Sequence, residues 1–190
     1  RNYLTYQKNQ HIPVYCGSCW AQAAISAASD RLNIQRIQKG VVFPKINLSV
    51  QAVLNCKYGG SCNGGDQTAL FQRAATWKIP VESCHPYESK NPDNFKCEPQ
   101  KVCSLPVPGK EPIIYSKYSG VKVTSFTRVR GADFIKKALL SGPITCSFQV
   151  TDEFVKYQRI EGEKLNIWTK NEEFLELNHA ISIVGWGVQD

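Results

Sequence analysis

Between Trp20 and Ile37 the apolar residues Ala21, Ile25, Ala28 and Leu32 recur at spacings of four, three and four. That rhythm follows the roughly 3.6-residue period of a single helix face, and Lys39-Gly40 supplies a stop. The many alanines let neighbours approach closely, which predicts a central, buried helix. Ser49 can cap a short helix running through Leu54, because its side-chain oxygen can accept from a first-turn N–H. Asp66 can cap another, with Leu70, Ala74 and Trp77 on one face. Between these two helices the run GGSCNGG, 59–65, is a loop by composition.

From Cys84 to Pro112 the chain holds six prolines and three cysteines, which predicts irregular structure. Beyond it the pattern changes. YSGVKVTSF (118–126) and PITCSFQV (143–150) are rich in β-branched and aromatic residues and read as strands. ADFIKKALL (132–140) between them reads as a helix closed by Gly142-Pro143. HAISIVGWG (179–187) alternates with the period of a strand. Helices first and strands later predict an α+β fold with two lobes, divided near residues 104–112. The longest apolar runs, such as Ala180–Val184, are strand-sized, and none approaches the ~18 residues of a membrane span.

Composition narrows the picture. The chain has 190 residues, 42% of them hydrophobic, enough for a substantial core. Its net charge of +7, from 23 basic and 16 acidic residues, raises nucleic acid as a partner. The basic residues are scattered, however, and never exceed the pair Lys136-Lys137, so a solvated surface is the better reading. The chain contains no methionine, begins at Arg1 and opens with no basic-then-apolar signal segment, so a processed product is expected. Eight cysteines in this length suggest an oxidising compartment. Asn47-Leu48-Ser49 is an acceptor triplet for N-glycosylation and agrees with secretion.

Cys16 and Cys19, in the run CGSCW, admit four readings. A structural zinc site wants a second C-x2-C or a close histidine pair; Cys56 and Cys62 are six apart and the three histidines are scattered. A redox motif should follow a strand inside a βαβ unit, and none is evident. Two unrelated disulfide ends are the plain alternative. A nucleophile accounts for more: Cys19 would stand at the first turn of the long helix. There, unpaired N–H groups and the positive end of the helix dipole favour an anionic sulfur, and the thiolate is the attacking species.

CGSCW (16–20), CNGG (62–65), SGPIT (141–145) and NHAISIVGWG (178–187) together resemble the papain-like cysteine proteases across essentially the whole chain. The resemblance implies a helical, disulfide-rich lobe over 13–105. A β-rich lobe is built from 1–12 and 106–190, with a cleft between the two. It makes Cys19 the nucleophile and His179 the imidazole of the ion pair. Gln10 becomes the amide that joins the Cys19 N–H in an oxyanion hole. Gly64 and Gly65 pair with an extended substrate, with Trp20 and Asn178 also among the binding positions. The implied disulfides are Cys16–Cys62, Cys56–Cys97 and Cys84–Cys103, with Cys146 left over. No cofactor or metal is called for; the partners are peptide substrates and a propeptide, acting on a monomer in a lysosome or outside the cell.

Spacing around Gln10 sharpens the resemblance. In most of the family the glutamine stands six residues before the nucleophile, a position held here by Pro13. Gln10 stands nine before, so His11, Ile12 and Pro13 are inserted. This insertion, with YCGSCWA, DRLNIQR and LSVQAVLNC, resembles the cathepsin X branch, in which the inserted histidine binds the substrate's terminal carboxylate. An imidazolium donates from both ring nitrogens and suits that task. An ordinary imidazole titrates near ~6.5, so an acidic compartment would keep it charged. The implied activity is removal of single residues from a peptide's C-terminus. A general endopeptidase and a non-catalytic scaffold of the same fold are the alternatives.

Three departures stand out. The asparagine that orients the imidazole lies some twenty residues past it in the family, whereas this sequence reaches Asp190 eleven residues after His179. That, with the odd Cys146, suggests the larger part of a longer protein. The stretch from Phe154 to Leu177 is longer and more charged than usual, leaving non-primed specificity open. SLPVPGKEP (104–112) replaces a short disulfide loop of the cathepsin X branch.

Overall fold

The computed structural model describes residues 2–89, 95–157, 167–169 and 176–188. The first element is α1, Cys19–Gln38. It buries Trp20, Ala21, Ala24 and Ile25, and also Ala23 and Ala27 on another side. Small side chains all round its first half let elements pack on several faces, as its alanine content predicts. The second half is sewn down by polar groups. Ser29 Oγ donates to Ile25 O (2.7 Å) and accepts from Leu48 N (3.0 Å). Asn33 bonds Ile46 through both ends of its amide, at 2.7 and 2.8 Å. Asp30, buried, accepts from Thr5 N at 2.6 Å and docks the N-terminal segment.

Next come α2, Val50–Asn55, β1, Gly60–Ser61, β2, Gly64–Gly65, and α3, Gln67–Ala74. Ser49 and Asp66 cap α2 and α3, accepting from Ala52 N (3.1 Å) and Thr68 N (2.8 Å). Leu70 and Ala74 are buried, but α3 ends at Ala74, and Trp77 lies beyond it, edge-on to Tyr58 at 4.8 Å. Ser49 is buried and its hydroxyl also donates to His85 O at 2.6 Å. Ser49→Ala therefore strands a helix N–H and a carbonyl together. It should lower stability by about 1–2 kcal/mol, read as a shift in the urea midpoint at unchanged slope.

The proline-rich middle holds β3, Ile79–Pro80, a 3-10 turn, Glu82–Cys84, and the short α4, Pro99–Val102. It continues through β4, Ser104–Leu105, β5, Ile113–Ile114, and β6, Gly120–Val121. The strand expected over 118–126 is thus only two residues long. Its partner, β3, is itself two residues and ends on Pro80, which has no N–H for a ladder. The last part holds α5, Ala132–Leu139, β7, Ile144–Phe148, α6, Asp152–Lys156, and β8, His179–Ile183. α6, capped by Thr151 Oγ1 on Phe154 N (3.4 Å), has no counterpart in the sequence reading. The described strands form four two-stranded antiparallel sheets. β7 and β8 pair over five residues, from Ile144↔Ile183 to Phe148↔His179, and both pack on α1.

The core gathers Trp20, Ile25, Leu48, Leu54, Leu70 and Ile79 around α1. Three disulfides join Cys16 to Cys62, Cys56 to Cys97 and Cys84 to Cys103, the pairs that the family resemblance implies. Cys19 and Cys146 are free thiols, both half-buried. Burial pushes the Cys146 thiol up from its ordinary value. Asn47 is half-buried, with its Oδ1 enclosed and its backbone carbonyl accepting from Glu82 N. Among the described residues no helix is long and apolar enough to cross a membrane, and no three His, Cys, Asp or Glu side chains gather as metal ligands.

Candidate active site

Cys19 is the first residue of α1, and Ser18 is its N-cap. Ser18 does not cap with its side chain. Its hydroxyl instead lies 2.9 Å from Tyr87 Oη. Ala21 and Gln22 bond Ser18 O, whereas the Cys19 N–H finds no protein acceptor among the described residues. The sulfur therefore sits beside an open backbone donor at the positive end of a 20-residue helix.

The turn leading into α1 is held from the glycine loop. Gly17 N donates to Cys62 O at 2.7 Å, Gly17 bridges Asn63, and the Cys16–Cys62 disulfide locks the same two segments. A Cβ on Gly17 would fall 2.6 Å from Cys62 O, so only glycine permits this approach. Trp20 Nε1 donates to Ser61 O at 3.0 Å, and a Cβ on Gly65 would fall 2.5 Å from the Trp20 ring. Trp20 is 1% exposed and has no surface to offer a substrate. Its part is to support β2 from beneath, which corrects its expected place among the binding residues. Gly64 and Gly65 are exposed above it. Gly64, at φ +113°, would have nothing within 4 Å of an added Cβ, so this backbone edge is open.

Gln10 is set by Tyr87, whose hydroxyl donates to Gln10 O at 2.7 Å while also meeting Ser18. One phenol thus ties the glutamine segment to the cap of the cysteine helix. Tyr87 is the residue that sequence reasoning missed; its motif, HPYESK, carries no local signal. Ser89 does similar work for the insertion, donating to Val14 O at 3.0 Å. The insertion, His11–Pro13, is exposed, as are Val14 and Tyr15 after it. The His11 ring stacks on Tyr15 at 4.7 Å and 6°, and its Nε2 lies 3.1 Å from Gln10 Nε2. That bond needs a ring nitrogen with a free lone pair. Protonating His11 removes the acceptor, so the amide then releases the ring or turns its oxygen to it.

His179 opens β8 opposite Phe148, and the Phe148 ring meets it edge-on at 5.7 Å. Burial pushes the His179 imidazolium below its ordinary range, and the charge of His11 pushes in the same direction. Because β8 packs on α1, the elements carrying Cys19 and His179 are in direct contact. Asn178 is engaged elsewhere: its amide donates to Val150 O (2.9 Å) and accepts from Val150 N (2.8 Å), clipping the entry to β8. Residues 158–166 and 170–175 of the unusual 154–177 stretch lie outside the described residues, as does Asp190.

Residues 1–190 match the family described as papain family cysteine protease. The chain belongs to that family. A cathepsin Z of Onchocerca volvulus is 36% identical over 189 residues, covering 98% of this chain and 57% of that protein. A cathepsin B-like cysteine proteinase of Caenorhabditis elegans is 28% identical, covering 92% and 49%. Among solved structures, the bromelain protease of Ananas comosus aligns with TM-score 0.66 at 26% identity, covering 95% of this chain and 69% of that one. A cysteine protease of Carica candamarcensis aligns with TM-score 0.70 at 21% identity, covering 97% and 73%. The papain-like α+β fold expected from the motifs is therefore the fold of this chain. The chain spans about half the length of the curated relatives it matches.

Proposed function

We propose that this protein is a cysteine peptidase of the carboxypeptidase type, working in a lysosome or outside the cell. Its two lobes, 13–105 and 1–12 with 106–190, flank the cleft. The observation that carries the reading is the placement of His11: one inserted residue touches Gln10 and acts electrostatically on His179. The resemblance to the cathepsin X branch and the cathepsin Z relative support it.

In this reading the Cys19 thiolate attacks the last peptide carbonyl of a substrate held in extended form along Gly64 and Gly65. The oxyanion accepts from the Cys19 N–H and from the Gln10 amide. The His179 imidazolium protonates the departing amine, leaving an acyl-enzyme. Water then attacks, with His179 taking its proton, and the acid is released. The leaving group is a single amino acid whose carboxylate pairs with the His11 imidazolium, braced by Tyr15. The exposed insertion blocks a longer chain from continuing.

The test compares two substrates. His11→Ala should cut cleavage of peptides with a free C-terminal carboxylate by about 10–100-fold, the value of one charge-assisted hydrogen bond. Cleavage of C-terminally amidated peptides should change by less than about threefold. Equal losses on both would point to an endopeptidase instead. The same pairing sets the pH dependence. An imidazole binds carboxylate only when protonated, so the ratio of free-carboxylate to amidated-peptide cleavage should fall as pH rises, on top of the decline both share through the His179 imidazolium. An epoxide probe that leaves Cys19 unlabelled at mildly acidic pH would favour a non-catalytic scaffold.

A further inference from the structure

Cys19 and His179 lie on different elements, and nothing in their own hydrogen bonds holds the strand of one at a given height on the helix of the other. Far from both, one side chain does. Arg31, half-buried on α1, directs its guanidinium into the loop between α5 and β7. Its Nε donates to Pro143 O at 2.7 Å. Its two terminal nitrogens donate to Gly142 O (2.9 Å), Ala138 O (3.2 Å) and Ser141 O (3.4 Å). Four carbonyls converge on one planar fork at the end of α5 and in the loop after it, and Ala138 O also accepts from Ser141 N. Among the described residues no carboxylate pairs with Arg31, so the carbonyls are its partners.

The approach is close as well as polar. Gly142 stands at φ +125°, and a Cβ there would fall 2.9 Å from Arg31 Cγ and 3.2 Å from Ile34 Cδ1. The loop backbone thus rests directly on α1. From this point α1 and β7 are in contact. Arg31 lies twelve residues from Cys19, about 18 Å along the helix. Pro143 lies five residues from Phe148, about 17 Å along the strand, and Phe148 is the β-partner of His179. The two lengths match, and the far end of β7 reaches the glycine-loop side of α1: Ser147 Oγ lies 3.0 Å from Gln67 Nε2, two residues past the Gly65 that packs on Trp20.

We infer that Arg31 is a positioning residue for the Cys19–His179 pair, setting the height of the β7–β8 hairpin on α1 through its four carbonyl bonds. The inference rests on the proposed roles of Cys19 and His179, but it can be read separately from them. Lysine cannot replace this fork, because a single ammonium on a flexible stem cannot span four carbonyls spread around a turn.

Arg31→Ala, Arg31→Lys and the parent are compared in the full chain by steady-state kinetics and by NMR titration of the His179 ring. Arg31→Ala should lower kcat by about 10–100-fold with KM within about threefold, the cost of a misplacement near 1 Å. Arg31→Lys should fall between it and the parent. The His179 titration should move in both variants, since its ring would take a new position relative to α1 and His11. Wild-type kcat with an unmoved His179 titration in Arg31→Lys overturns the inference. Should Arg31→Ala not fold, the lysine variant alone decides on the same criteria. If the parent itself shows no turnover, the proposed function fails, and the His179 titration still decides: moved supports positioning, unmoved overturns it.

Discussion

Cys19→Ala should abolish peptide cleavage, with a loss of kcat/KM on the order of 10⁵-fold or more. The sulfur is the only nucleophile at the start of α1, and no neighbouring group can take its place: Ser18 is buried and committed to Tyr87. His179→Ala should cost nearly as much, and the double variant little more, because nucleophile and proton carrier act as one unit. Folding should survive. Cys19 is half-buried at a helix start, outside the cluster formed by Trp20, Ile25 and Leu54. The check is a kinetic assay beside a thermal melt. A folded Cys19→Ala variant that retains a hundredth of the parent rate would sink the assignment of the nucleophile.

Removing the Cys16–Cys62 disulfide should cost about as much stability as removing Cys56–Cys97, whose 41-residue separation is nearly as long. The Cys16–Cys62 bridge closes a loop of 46 residues, and by loop entropy its loss costs about 4 kcal/mol. The Cys84–Cys103 bridge, separated by 19 residues, should cost about 3 kcal/mol on the same basis. The double variant Cys16→Ala/Cys62→Ala avoids a stray thiol. Its effect should reach the site, because the bridge joins the turn before Cys19 to the glycine loop that Trp20 supports. Two bonds would remain there, Gly17 N to Cys62 O and Trp20 Nε1 to Ser61 O, so native structure should persist at low denaturant. Denaturant midpoints and the labelling rate of Cys19 test this together. An unchanged midpoint would show that the loop is held without the covalent link.

Local signals carried much of the architecture. α1 follows from its alanine-rich periodicity, and Ser49 and Asp66 cap helices because a short side-chain oxygen ahead of an apolar run has one natural use. The strand at His179–Ile183 follows from alternation. The strand over 118–126 did not form at its expected length, because β propensity needs a paired edge and β3 offers only two residues. Trp20 reads as a cleft residue beside Cys19, yet it is buried, since its indole packs beneath Gly65.

The sequence by itself determined the chemistry available: a thiol at a helix start, an imidazole at a strand start, a glutamine and an inserted histidine at an unusual spacing. Those are properties of residue type and local order, which short-range pattern encodes. Only the tertiary structure decided what holds these groups in place. Tyr87 meets both Gln10 and Ser18 from a loop some seventy residues away. Asn178 bonds both the N–H and the carbonyl of Val150, twenty-eight residues before it. Arg31 gathers the carbonyls at the end of α5 more than a hundred residues further on. Each is a single polar side chain satisfied by distant backbone or hydroxyl groups. No periodicity marks such partners, because the bond exists only once the core has brought the segments together.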